Sequence, residues 1–218
     1  MITIRSSEGE EFAAYLALPS GPSGAQGSGL VLLQEIFGVN GEMRAIADWY
    51  AARGFVVACP DLFWRQEPGV QLTDHSDEEW QRAMELYKGL DEAKAVADAA
   101  ATLAFLRQHP ACTGKIGAVG FCLGGKLAYL LATRSDPDCS VAYYGVGIET
   151  ALLGFPMHFD HRSARAIAWS YDDPRRDAEP VRGRVCFYQE RPEVELELDG
   201  VVGERPRTPW ADPRWSER

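Results

Sequence analysis

Short apolar runs alternate with helix-like segments between residue 30 and about residue 145, and this alternation constrains the fold more than any other feature. Residues 30–33 form a continuous apolar run, which is typical of a strand buried on both faces of a parallel sheet. Strands that alternate with helices predict right-handed crossovers and an α/β fold, a mainly parallel sheet with helices on both faces. Two short strands are predicted within residues 2–18, further strands at 55–59, 115–120 and 140–144, and helices at 42–53, 91–108, 124–134 and from residue 77 onwards.

The last quarter of the chain has a different character. Beyond Pro156, arginine and proline become frequent and the helical periodicity disappears. Residues 184–189 and 194–199 alternate like two strands joined by a short turn. We therefore predict an α/β domain at residues 1–156 and a divergent, β-rich or irregular tail at residues 157–218.

Charge and hydropathy exclude several kinds of partner and location. The 218 residues include 22 Lys and Arg against 32 Asp and Glu, a formal net charge of −10. A body this acidic repels phosphate backbones and anionic bilayers, so we expect a small organic substrate and neither nucleic acid nor membrane as partner. The chain has no apolar run of the roughly 20 residues that cross a bilayer, and its N-terminus lacks the pattern of a secretory signal. We expect a cytoplasmic protein.

One of the five cysteines lies in a motif that suggests nucleophilic chemistry. The motif is G-x-C-x-G, formed by Gly120, Cys122 and Gly124 between a predicted strand and a predicted helix. This is the arrangement of a nucleophile elbow with sulfur in place of the usual serine oxygen. The backbone N–H of Leu123 is expected to point towards the same space as the sulfur, where the helix dipole favours negative charge. The alternative is a buried structural cysteine in an ordinary strand–helix turn.

A carboxylate follows the first buried strand. Gln34–Gly38 reads Q-E-I-F-G, which places Glu35 at the carboxyl end of a parallel strand, where ligands bind in such sheets. We expect Glu35 to come within reach of the Cys122 sulfur. A solvated loop carboxylate is the alternative.

Four motifs together resemble the dienelactone hydrolase family over about residues 2–155. They are G-F-C-L-G-G, Q-E-I-F-G-V-N, C-P-D-L-F at residues 59–63 and Y-Y-G-V-G at residues 143–147. The resemblance implies an α/β-hydrolase fold and a cofactor-free enzyme that opens unsaturated lactones and related esters through a Cys–His–Asp triad. By position, it also implies specific roles for five residues: Cys122 as nucleophile, Glu35 as the carboxylate that helps to control thiol ionisation, the backbone N–H groups of Ile36 and Leu123 as oxyanion hole, and Arg82 as partner of a substrate carboxylate. Arg82 is equally compatible with a solvated charge on a helix.

The sequence departs from the family pattern after the cysteine. The family's histidine lies in a G-H-[GS]-F-like segment, and the chain has no such segment, nor a counterpart for the triad aspartate. Only His158 and His161 follow Cys122, and their H-x-x-H spacing without further ligands does not predict a metal site. Residues 158–210 instead resemble the end of a small bacterial β-rich domain of unknown function. We therefore expect a C-terminally incomplete hydrolase sheet with one open edge, joined to an unrelated tail by fusion or by gene assembly.

Three functional hypotheses follow. The first is a hydrolase of the dienelactone hydrolase type that uses Cys122. The second is a catalytically impaired α/β-hydrolase scaffold fused to an unrelated β tail, which acts as a binding or structural module or has no function. The third is a thiol-based redox or binding module that lacks the resolving cysteine of a C-x-x-C pair.

Overall fold

The computed structural model describes residues 1–20 and 26–147, together with the backbone of three short strands further along the chain. In chain order, the elements of this part are β1 (Ile2–Arg5), β2 (Glu11–Ala17), β3 (Gly27–Leu33), α1 (Gly41–Ala51), β4 (Val56–Pro60), α2 (Asp77–Gly89), α3 (Glu92–Gln108), β5 (Cys112–Phe121), α4 (Leu123–Arg134), β6 (Cys139–Tyr143), β7 (Phe159–Asp160), β8 (Ile167–Trp169) and β9 (Arg184–Tyr188). The predicted strands and helices of the middle part are confirmed, with bounds that differ by up to three residues.

All described strands belong to one sheet in the order β1-β2-β4-β3-β5-β6-β9-β8-β7. The central pairs β4–β3, β3–β5, β5–β6 and β6–β9 are parallel, whereas the outer strands, β1 and β2 at one end and β8 and β7 at the other, join the sheet antiparallel. The predicted mainly parallel sheet is therefore confirmed. The carboxyl ends of β3, β5 and β6 lie side by side at one edge, because these strands are neighbours and run in the same direction.

Helices cover both faces of the sheet, as the buried strands require. Leu30 and Leu32 of β3 belong to one apolar cluster, which also contains Met43 and Ala47 of α1. Val31 and Leu33 point to the other face, and belong to the cluster that α3 and α4 complete. Helix α4, which is buried from Leu123 to Ala132, thus packs directly behind the strands that hold the motif residues.

The tail contributes strands to the same sheet. β9 pairs in parallel with β6 over five residues, from Cys139 opposite Arg184 to Tyr143 opposite Tyr188. The expected open edge beside β6 is therefore wrong, because β9 supplies the backbone partners that an edge strand lacks. The predicted strand at residues 184–189 is present as β9, and the one at residues 194–199 lies outside the described residues. The division into domains 1–156 and 157–218 stays a prediction.

No helix in the described part of the chain has both the length and the apolar character needed to span a membrane.

Candidate active site

Cys122 lies on a sharp turn between β5 and α4. Its backbone has φ 52° and ψ −115°, in the left-handed half of conformational space that non-glycine residues rarely adopt. The backbone N–H of Cys122 donates to the carbonyl oxygen of Tyr143 at 3.1 Å, and the N–H of Lys126 donates to the carbonyl oxygen of Cys122 at 3.2 Å. These bonds tie the strained residue to the end of β6 and to the first turn of α4, so the turn is held in one conformation.

The two glycines of the motif permit the close packing of this turn. A Cβ atom on Gly120 would lie 1.9 Å from the carbonyl oxygen of Gly124. A Cβ atom on Gly124 would lie 2.1 Å from the carbonyl oxygen of Leu33, at the end of β3. Both distances are far below van der Waals contact, so only glycine at these positions lets α4 approach the ends of β5 and β3 this closely.

The environment of the Cys122 thiol raises its pKa. Burial is the largest cause, and the negative charge of Glu35 acts in the same direction. The backbone N–H of Leu123 hydrogen-bonds to the sulfur and lowers the pKa, but it does not outweigh the other two effects. The N–H of Leu123 at the helix N-terminus therefore stabilises the thiolate by less than burial destabilises it. The resting thiol carries its proton at neutral pH.

Glu35 lies in the loop that follows β3, where its side chain is half-buried. Its charge acts on the Cys122 thiol, and its Oε1 accepts a hydrogen bond of 3.1 Å from the hydroxyl of Tyr144. Burial is the main cause that raises the pKa of Glu35, while the bond from Tyr144 lowers it and the charges of Glu42 and Asp74 raise it further. The charge of Glu35 thus acts on the Cys122 thiol, and the structure adds a contact that the sequence did not indicate, the hydrogen bond from Tyr144 to Glu35.

The Ile36 side chain is buried, with an exposed fraction of 6%, and packs in the cluster that α3 and α4 complete. Leu123 is completely buried in the same cluster. The backbone is therefore anchored directly after Glu35 and directly after Cys122. This anchoring suits the predicted oxyanion-hole positions, which need rigid donors.

Gln34 is a buried support of the site that sequence reasoning did not single out. Its side chain has no exposed surface, and its Oε1 accepts a hydrogen bond of 3.0 Å from the backbone N–H of Leu62. Asp61, the acidic residue of C-P-D-L-F, accepts bonds from the backbone N–H groups of Phe63 and Gly69 at 3.0 and 2.7 Å. The loops after β3 and β4 are thus held by buried side-chain acceptors.

Replacing Gln34 by leucine is expected to lower the free energy of unfolding by about 1–3 kcal/mol, because the buried N–H of Leu62 loses its acceptor. Urea denaturation followed by circular dichroism measures the change. The matched control is Gln26→Leu, which removes an exposed bond to the carbonyl oxygen of Pro110 and is expected to change stability by less than about 0.5 kcal/mol. Equal effects of the two substitutions would contradict the supporting role of Gln34.

Arg82 lies on α2 and is paired with two carboxylates. Its Nη2 is 2.5 Å from Oε2 of Glu67 and its Nη1 is 2.8 Å from Oε2 of Glu85. The side chain is 45% exposed. These contacts are those of a solvated helix charge, and a substrate carboxylate would have to compete with both glutamates.

Two of the four histidines lie among the described residues, and the contacts of neither include Cys122. In this part of the chain the structure therefore places no histidine base beside the thiol. His109 is the C-cap of α3, and His75 is exposed beside Asp74. His158 and His161 lie outside the described residues. Within the described part, no three His, Cys, Asp or Glu side chains form a group that could hold a metal ion.

The influence of Glu35 on the thiol leads to a pH prediction. Replacing Glu35 by glutamine removes a negative charge that disfavours the thiolate, so the pKa of Cys122 is expected to fall and alkylation at pH 7.5 to accelerate about three- to tenfold. Iodoacetamide labelling at a series of pH values, read on the Cys122 peptide by mass spectrometry, gives the midpoint. Glu10→Gln, which changes an exposed glutamate in the β1–β2 turn, is the control and should leave the midpoint unchanged. A midpoint that rises in Glu35→Gln would contradict this electrostatic assignment.

Two known sequence families match the chain, each over a different part. The sequence model of the dienelactone hydrolase family matches residues 12–161, and the model of a domain of unknown function (DUF427) matches residues 152–200. The second match confirms the resemblance of the tail to a domain of unknown function.

Individual relatives are similar over the same part. A putative carboxymethylenebutenolidase of Azospirillum brasilense is 43% identical over 163 residues, which are 70% of this chain and 64% of the relative. A carboxymethylenebutenolidase of Pseudomonas putida is 39% identical over 155 residues, 71% of this chain and 64% of the relative. The crystal structure of a putative dienelactone hydrolase from Klebsiella pneumoniae superposes with a TM-score of 0.55 at 28% identity, covering 66% of this chain and 60% of that one. The chain thus spans somewhat less than two thirds of the length of these relatives.

Proposed function

Since the chain belongs to the dienelactone hydrolase family, we propose that it hydrolyses a lactone or another carboxylic ester through Cys122 as nucleophile. The observation that carries this proposal is the strained turn between β5 and α4, which holds the Cys122 sulfur beside the Leu123 N–H and within the field of Glu35. A thiol on a rigid turn, next to a hydrogen-bond donor and a carboxylate, has what acyl transfer requires.

In the first half of the reaction, the Glu35 carboxylate takes the proton of the Cys122 thiol. Burial raises the pKa of Glu35, which makes it a stronger base than an exposed carboxylate. The sulfur attacks the carbonyl carbon and forms a C–S bond, while the carbonyl oxygen becomes an oxyanion bound by the backbone N–H groups of Ile36 and Leu123. The intermediate collapses as the ester C–O bond breaks, and the departing oxygen takes a proton from Glu35.

In the second half, water hydrolyses the thioester. Water attacks the acyl carbon, the C–S bond breaks, and the product acid leaves while Cys122 regains its proton. The family performs this chemistry with a histidine and an aspartate, for which the sequence has no counterpart. Deacylation is therefore expected to be slower than acylation, so that the acyl-enzyme accumulates.

Stopped-flow measurement of p-nitrophenol release from p-nitrophenyl acetate tests the proposal. The expected time course is a burst of about one equivalent per chain followed by slow turnover, because acylation precedes a slower hydrolysis. Folded protein that gives neither burst nor turnover would overturn the proposal. The same assay with a dienelactone reports whether the lactone substrate of the family is accepted.

A catalytically impaired scaffold fused to a β tail is the second candidate. Two observations favour it. The matches to two different family models overlap at residues 152–161, and the sequence lacks the G-H-[GS]-F-like segment that holds the family's histidine. Replacing His158 and His161 by glutamine, one at a time, separates the candidates further. A slow phase that falls while the burst persists would identify that histidine as the base for deacylation.

A further inference from the structure

Tyr144 shares an unusual backbone conformation with Cys122. Tyr144 has φ 37°, and among the residues that the structure describes only these two non-glycine residues have positive φ. Such conformations cost about 1–3 kcal/mol and persist only where the surrounding structure enforces them. Tyr144 directly follows β6, whose last residue accepts the hydrogen bond from the Cys122 N–H. The two strained residues therefore lie at the ends of neighbouring parallel strands.

The side chain of Tyr144 contacts both the loop after β3 and the end of β5. Its hydroxyl donates to Oε1 of Glu35 at 3.1 Å, across 109 residues of sequence. Its ring lies 6.1 Å from the ring of Phe121, the last residue of β5 before Cys122. Phe121 in turn stacks on Tyr143 at 4.8 Å. The strained backbone thus aims a phenol from the end of β6 at the carboxylate that follows β3.

We propose that Tyr144 is a positioning residue, which holds the Glu35 carboxylate in one orientation and in its charged form beside the Cys122 thiol. This role deepens the proposed function and rests on it. A donor at a fixed distance selects one rotamer of Glu35, and a bond to the charged form of a carboxyl favours that form. Among the described residues, the charges that act on the Glu35 carboxyl are those of Glu42 and Asp74, which are like charges, so without the bond these and burial would disfavour its charged form.

The charges around Glu35 determine the sign of the effect. Glu42 at the start of α1 and Asp74 in the loop before α2 repel the Glu35 charge, and burial disfavours it. The Tyr144 hydroxyl is the contact that opposes these three effects. Removing the hydroxyl is therefore expected to raise the pKa of Glu35 by about half to one pH unit.

The test is a ¹³C NMR titration of the glutamate carboxyl groups in the full chain, with Glu35→Gln identifying the Glu35 resonance. In Tyr144→Phe, the titration midpoint of Glu35 is expected to rise by about half to one pH unit. The matched control is Tyr15→Phe, which removes a hydroxyl that donates to Asp48 at 2.9 Å and should leave the Glu35 midpoint unchanged. An unchanged or lowered midpoint in folded Tyr144→Phe would overturn the proposal.

A second measurement keeps the test valid if Tyr144→Phe does not fold. Incorporation of 3-fluorotyrosine at all eight tyrosines makes the Tyr144 phenol a stronger donor without shortening any side chain. The Glu35 midpoint should then fall, and a midpoint that rises or stays constant counts against the role of Tyr144. Neither readout requires hydrolysis. A protein with shifted midpoints and no acylation burst would refute the proposed hydrolase function while supporting the contact, whereas a burst with unshifted midpoints would refute only the role of Tyr144.

Discussion

Replacing Gly124 by alanine is expected to abolish the stable fold, with a loss of more than about 4 kcal/mol in the free energy of unfolding. The added Cβ would lie 2.1 Å from the carbonyl oxygen of Leu33 and 2.7 Å from that of Gln34. Both obstacles are backbone atoms of β3 and its following loop, so no side-chain rotation relieves the overlap. The first turn of α4 would have to move away from β3, and the buried part of the helix, Leu123–Ala132, would lose its packing on the sheet.

Gly41→Ala is the matched control, because Gly41 is also in the first turn of a helix. Its Cβ would meet no atom within 4 Å, and alanine has the higher helix propensity, so a gain of up to about 1 kcal/mol is expected. Thermal unfolding followed by circular dichroism measures both variants. A Gly124→Ala protein that melts within about 2 °C of the unmodified protein would contradict the close approach of α4 to β3.

Replacing Cys122 by alanine is expected to remove the p-nitrophenol burst completely. The rate of ester hydrolysis is expected to fall by at least about a thousandfold, or to the uncatalysed rate if the unmodified protein accelerates hydrolysis by less than that factor. The reason is that the variant has no atom at this position that can form the acyl bond. Alanine matches the small size of the cysteine side chain, so the fold is expected to survive.

The control for this loss is Cys139→Ala, which replaces an exposed cysteine at the start of β6. It should keep both the burst and the slow phase. If Cys122→Ala retains the burst while Cys139→Ala also does, the nucleophile is a different residue and the assignment of Cys122 fails.

Local patterns in the sequence were sufficient to predict most of the fold. The apolar run at residues 30–33 identified the central strand because burial on both faces leaves no polar positions. The periodicity of residues 91–108 predicted a helix; in the structure α3 begins at Glu92, and the Asp91 carboxylate accepts from the N–H groups of Ala93 and Lys94 as its N-cap. The turn at Cys122 was predictable because the glycines beside it mark a close backbone approach.

Contacts between distant segments were not predictable in the same way. Arg82 faces Glu67 because the loop after β4 folds back onto α2, which no local pattern records. The pairing of β9 with β6 depends on the path of a segment of some forty residues. The raised pKa of Cys122 also needed the structure, since the sequence shows the helix N-terminus but not the depth of burial.

The same limit applies to Tyr144. The motif Y-Y-G-V-G was part of the family resemblance, yet its letters do not show that the second tyrosine turns into the left-handed region and reaches Glu35. A non-glycine residue at positive φ is visible only in the backbone of the folded chain.

The most direct test of the central claim is to isolate the acyl-enzyme. Full-length protein is mixed with p-nitrophenyl acetate, quenched in acid during the burst and digested, and the peptides are sequenced by mass spectrometry. The account predicts one acetyl group per chain on the sulfur of Cys122, removable by hydroxylamine and absent from Cys122→Ala. Release of p-nitrophenol without any acetyl group on Cys122 would contradict it.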